Sequence, residues 1–135
     1  MASILRVNTL TDASSNNSVP MSTVNAGTTK AWWQFDPTNS NTTDESFNVS
    51  GIVDNGTGDT TTSFTNAFSG ARDYSTAQCH AYENNGVGAT VRGNGAILRA
   101  AGSLRSYGVY ISATNGSATV EDFDENSWQL CGVLA

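Results

Sequence analysis

Apolar and polar residues alternate along most of this chain with a period of two, the spacing of a strand with one face buried. Strands are predicted near Ala31 to Asp36, Ser46 to Asp54, Thr60 to Ala67, Tyr74 to Tyr82, Gly88 to Arg92, Ile97 to Ala101, Tyr107 to Ser112, Val120 to Phe123 and Trp128 to Leu134. Polar turns separate nearly all of them, and Asn-Gly pairs recur at Asn55, Asn85, Asn94 and Asn115. Asn-Gly supplies the positive φ of a tight primed turn, so Asn55-Gly56 between two alternating runs predicts a hairpin. The expected fold is all-β, an antiparallel β-sandwich of jelly-roll or Greek-key-like kind spanning residues 30–135. Only Ile97 to Leu104 has some helical spacing, and Gly95 and Gly102 weaken it.

The first 29 residues read differently. Ser3 to Leu10 is a further strand with no clearly polar face, and Thr11 to Thr29 is too poor in apolar residues to order itself. This segment is expected to be an extended N-terminal arm, a strand plus a polar linker. The strand either adds to a neighbouring subunit's open sheet edge or folds back into its own sheet.

A chain of 135 residues fits one domain with a real core. Ser, Thr and Asn make up about a third of it and charged residues only 13%, the balance of an ordered β-rich surface protein. The net charge is -6, and the six basic residues Arg6, Lys30, Arg72, Arg92, Arg99 and Arg105 are scattered, which argues against nucleic acid as a partner. No apolar run is long enough to span a bilayer, and the N-terminus does not read as a signal peptide, so membrane insertion is not expected. The sequons at Asn16, Asn41, Asn48 and Asn115 then follow from Asn and Thr richness alone. Cys79 and Cys131 both fall in predicted strands, as a cross-strand disulfide or as two buried free thiols.

Candidate chemistry is sparse. Cys79 and the only histidine, His80, are neighbours, but successive residues of a strand face opposite ways, so they do not form a nucleophilic dyad. No catalytic residue and no cofactor are expected. Glu121, Asp122, Asp124 and Glu125 surround Phe123, and Asp54 and Asp59 flank the NGTG turn; either set has oxygen ligands for a hard cation. Neither matches a calcium loop, so they read as solvated carboxylates at turns and edges, and no metal is assigned. Aromatics are more informative. Trp32 and Trp33 are adjacent, so one faces out, and an exposed Trp is costly unless covered. Trp32, Trp33, Phe35 and Trp128 are therefore candidates for an oligomer interface, the other reading being a core within one subunit. Tyr82, Asn84, Asn85 and Tyr107 are candidates for glycan contact, through an aromatic face and amides.

Three segments in order, KAWWQF, SFNVSGIVDNGTGD and TTTSFTNAF between Lys30 and Phe68, resemble a domain of tail-fibre-like virion structural proteins of marine tailed bacteriophages. The likeness is fainter over SILRVNTLTDA and the terminal strand. It implies a non-enzymatic virion surface module that assembles with itself as a homotrimer and contacts other virion proteins through the arm. A host-surface glycan is a further implied partner. No heptad stalk or shaft repeat accompanies the domain, which leaves a fibre tip, a capsid fibre or knob, and a head-decorating protein as its place. The alternative is a stand-alone lectin-like module binding carbohydrate or calcium.

Overall fold

The computed structural model describes residues 6–14, 17–38, 42–81, 91–94, 98–111, 115–123 and 125–135. Its elements are β1 (Thr9–Thr11), β2 (Ser18–Pro20), α1 (Met21–Gly27), β3 (Thr29–Asp36), β4 (Thr42–Phe47), β5 (Val49–Gly56), β6 (Asp59–Phe64), β7 (Tyr74–Ala81), β8 (Val91–Asn94), β9 (Leu98–Arg99), β10 (Ser103–Ile111), β11 (Ala118–Val120) and β12 (Glu125–Gly132). One sheet has the order β4-β3-β12-β7. In the other, β5 pairs β6 and β6 pairs β10; the first half of β10 also holds β9, and its second half holds β8 and β11. Every pairing is antiparallel, and the expected all-β sandwich is what forms.

The core explains why two sheets face each other. Ala31, Trp33 and Phe35 alternate along β3 and are buried, with Trp128 and Leu130 of β12 and Tyr74 of β7 beside them. Phe64 of β6 and Leu104 of β10 meet them from the second sheet, and Phe68 from the connection after β6. The Trp33 ring stacks on Trp128 at 5.8 Å and reaches Phe64 at 6.2 Å, while Phe64 lies edge-on to Phe68 at 5.2 Å and to Tyr74 at 6.1 Å. Large rings each remove about 150–250 Å² from water, so at roughly 25 cal/mol per Å² this cluster dominates the favourable side of folding.

Two backbone devices set the chain path. The predicted strand Ser46 to Asp54 is interrupted at Asn48, where φ is 60° and the chain leaves the first sheet for the second. Asn tolerates the left-handed region, and its side chain locks the corner: Asn66 N–H donates to Asn48 Oδ1 at 2.7 Å, and Asn48 Nδ2 donates to Asn66 O at 3.1 Å. The predicted turn is displaced by one dipeptide. Gly56 pairs with Asp59, so Thr57 and Gly58 form the loop and Asn55 is taken up in a bulge. Gly58 has φ 68°, and a Cβ there would lie 2.7 Å from Glu121 N. Gly108 on β10 is crowded as well: Gly58 O accepts its N–H at 2.6 Å, and its own carbonyl accepts the Glu121 N–H at 3.1 Å.

The N-terminal expectations are revised. β1 folds back on β2 as a two-stranded ribbon, with Leu10 opposite Val19, and most of the predicted strand Ser3 to Leu10 precedes it; residues 1–5 lie outside the described residues. The stretch read as a linker contains α1, which lies against β12 with Met21 and Val24 half-buried. Seven residues of modest helix propensity form a helix because tertiary contact covers one side. Over Ile97 to Leu104 the described residues form β9 and the start of β10 rather than a helix, since pairing with a sheet outweighs weak helical spacing.

Candidate functional site

The strand that buries Trp33 and Phe35 presents Trp32 and Gln34 to the opposite side, the outer face of the four-stranded sheet. Register extends that face across the neighbouring strands. Trp32 is opposite Phe47 of β4 on one side and Gln129 of β12 on the other, and Gln129 is opposite Ala77 of β7. The next row is Glu45 of β4, Gln34, Ser127 and Cys79 of β7, with Glu45 exposed beside the trough. The sheet surface here is hollowed into a trough of about 580 Å³ lined by Thr29, Trp32, Gln34, Ala77, Ser127 and Gln129, with Trp33, Gln78 and Trp128 from the intervening positions. No ionisable side chain is among these lining residues. Gln129 Nε2 donates to Thr29 Oγ1, which fixes the amide and leaves its carbonyl oxygen as an acceptor. Phe47, 53% exposed, carries the aromatic surface beyond Trp32. A half-buried indole among amides and hydroxyls suits an uncharged, hydroxyl-rich ligand.

The other predicted site residues divide sharply. Trp33, Phe35 and Trp128 are 1%, 2% and 3% exposed, covered by their own chain, so of the four interface candidates only Trp32 reaches the surface. The alternation within KAWWQF fixes this, since Trp33 and Phe35 share the face of Ala31. Tyr107 is half-buried on β10, opposite Asp59 of β6, with the Arg105 guanidinium 5.3 Å from its ring centre. It therefore belongs to the six-stranded sheet and does not join Trp32. Tyr82, Asn84 and Asn85 lie outside the described residues.

Asp59, Asp54 and Asp122 have structural partners. Arg105 Nε donates to Asp59 Oδ1 at 2.9 Å and the two groups form an ion pair. That hydrogen-bonded guanidinium holds the Asp59 carboxyl below its ordinary range, against the desolvation that raises it, and the Asn55 amide adds to the lowering. Asp54 Oδ1 accepts the Gly56 N–H at 2.8 Å, and Asp122 Oδ1 accepts the Gly58 N–H at 2.7 Å. β11 ends at Val120, so Glu121 to Phe123 form a crossing between sheets and not the strand that would have put Glu121 and Glu125 on one face. One Glu121 oxygen, Oε2, is buried without a protein partner, as is the Trp33 indole N–H. Asp124 lies outside the described residues, among which no group of three His, Cys, Asp or Glu is placed to hold a metal.

The cysteines are separated by register. Cys131 pairs with Ser75 and Cys79 with Ser127, four positions apart along β12. At about 3.3 Å per residue that is roughly 13 Å, well beyond the roughly 7 Å limit between the Cα atoms of a disulfide. The folded chain therefore holds no Cys79–Cys131 bond, and Cys131 is a partly buried free thiol. His80 follows Cys79 in β7, opposite Asn126.

No protein-family model, curated protein or solved structure matches this chain.

Proposed function

We propose that this chain is a non-enzymatic structural module of a bacteriophage virion surface, tail-fibre-like or capsid-decorating, that assembles with itself and takes part in attachment. The observation that carries this reading is the motif-bearing stretch Lys30 to Phe68, whose described residues build the spine of a sandwich. KAWWQF is the body of β3, and the later segments form the Asn48 corner and the β5–β6 hairpin.

Self-assembly has a surface available to it. The outer face of the six-stranded sheet exposes Val53 at 55%, Leu98 at 56% and Val120 at 48%. Val53 is opposite Thr61 and Leu98 opposite Arg105, which is itself opposite Thr61, so Val53 and Leu98 lie in one row. Thr61 and Arg105 stand between them, and exposed apolar residues distributed over one face in this way are available for a subunit contact to cover. The homotrimer implied by the family resemblance would use this face, with Trp33, Phe35 and Trp128 left in the core. The β1–β2 ribbon exposes Leu10 and Val19 as a cross-strand pair, a contact for other virion proteins.

Light scattering on the full chain and on a chain lacking Met1 to Thr29 tests assembly. A trimer mass in both is expected, and a monomer in both refutes assembly through the β domain. Mass spectrometry of purified particles tests the virion assignment, which fails if the chain is absent. A stand-alone lectin-like module is the second reading, favoured by the uncharged trough around Trp32.

A further inference from the structure

We propose that the trough on the outer face of the four-stranded sheet is a binding site for a neutral glycan, with Trp32 as the stacking platform and Gln34 and Gln129 as the main polar contacts. The inference rests on the attachment role proposed above for its biological setting, but the site itself is read from geometry.

Sugar rings present an apolar C–H face and a rim of hydroxyls. The first needs a flat aromatic surface, and the second needs groups that both donate and accept. Trp32 is the one tryptophan outside the buried core, and Phe47 continues its surface. Amides and hydroxyls pair with sugar hydroxyls in either direction, and Gln34, Gln129, Thr29 and Ser127 supply them within one trough. The row Phe47, Trp32, Gln129, Ala77 crosses four adjacent strands. With strands about 4.8 Å apart it extends about 14 Å, long enough for a short oligosaccharide.

Charge selects the class of glycan. The described lining offers no cation to pair with a carboxylate or sulfate, and the Lys30 ammonium donates to Asn25 Oδ1 at 2.8 Å and to the Thr28 hydroxyl. The chain carries a net charge of -6, which repels acidic polymers. Backbone hydrogen bonds on both flanks of β3 and β12 hold the lining side chains in place before a ligand arrives, which lowers the ordering cost of binding.

The test is an array of neutral and acidic glycans probed with the full chain, followed by calorimetric titration of the strongest binder. Neutral oligosaccharides are expected to bind and acidic ones to be weaker. Trp32→Ala should lose at least tenfold in affinity, Gln129→Ala several-fold, and Trp32→Phe should keep most of it. Tyr107→Ala, on the opposite sheet, should bind as the parent does. Thermal melts of each variant exclude unfolding as the cause of any loss. The proposal is overturned if no neutral glycan binds, if acidic glycans bind best, or if Trp32→Ala leaves affinity unchanged. It is also overturned if Trp32→Ala dissociates an oligomer seen by light scattering, because the trough is then a subunit contact. Absence of the chain from particles would refute the virion reading while leaving glycan binding intact, so the two failures are distinguishable.

Discussion

Gly108→Ala asks how tightly the two ends of the sandwich are tied. A Cβ on Gly108 would lie 2.3 Å from the Glu121 carbonyl oxygen and 3.1 Å from a carbon of the Phe123 ring. Ordinary contact begins near 3.4 Å, so the Glu121 backbone has to retreat by 3.4 minus 2.3, or 1.1 Å. A shift of that size breaks or stretches the two hydrogen bonds that join Gly108 to Gly58 and Glu121. Each is worth about 0.5–1.5 kcal/mol, and overpacking against Phe123 adds about 1–3 kcal/mol. Lower entropy of the unfolded chain returns about 0.4–1 kcal/mol. The net loss is then about 1–5.6 kcal/mol, measured as a lower urea midpoint at unchanged slope. Gly51→Ala is the internal control, since a Cβ there meets nothing within 4 Å. It should change stability by less than about 1 kcal/mol. If Gly108→Ala also costs under about 1 kcal/mol, the close approach of Glu121 to β10 does not constrain the fold, and the argument is wrong.

Three further outcomes follow from features of the fold. Asn48→Gly keeps the left-handed corner but loses the side-chain bonds to Asn66, a cost of about 1–2 kcal/mol, and Asn48→Ala adds about 1–2 kcal/mol of backbone strain; denaturation curves in which Ala equals or exceeds Gly would refute the corner's role. Burial raises the Tyr74 pKa above the ordinary phenol value of 10.0, so its share of stability is full below that pH and is lost as pH rises through the higher folded value. Tyr74→Phe should flatten the alkaline fall in melting temperature and cost about 1 kcal/mol at neutral pH, because Tyr74 Oη donates to the Ala100 and Ser103 carbonyls at 3.2 and 3.3 Å; an unchanged alkaline limb would count against it. A reducing agent should leave the melting temperature of freshly purified protein unchanged, as Cys79 and Cys131 are out of reach, and a clear fall would contradict the register.

The sequence revealed most of what depends on near neighbours. Alternation within KAWWQF assigned Trp33 and Phe35 to one face and Trp32 to the other, and the β5–β6 hairpin was expected within two residues of its loop. It concealed the break at Asn48, because SFNVSG alternates without interruption and a left-handed residue changes direction without changing that pattern. α1 was concealed for a different reason, since its stability comes from lying against β12 and not from its own composition. The trough was half legible. An outward tryptophan follows from two adjacent ones, but Gln129 meets Thr29 across 100 residues of chain, a pairing set by tertiary register alone. Of the residues singled out for glycan contact, Tyr82, Asn84 and Asn85 lie outside the described residues, and Tyr107 sits on β10, on the other sheet from the trough.

β12 lies in the middle of its sheet, between β3 and β7, although it is built from residues 125–132. During synthesis β3 and β7 are made long before the strand that joins them, so each has an open edge beside a row of buried-type side chains. Completion of that sheet consequently waits until β12 has been made, and a nascent chain stalled before Glu125 is a sticky intermediate in need of shielding. Splitting the protein ahead of β12 should yield a fragment that recaptures a synthetic Glu125–Gly132 strand as its missing centre, which would turn a folding liability into a means of attaching cargo to this domain.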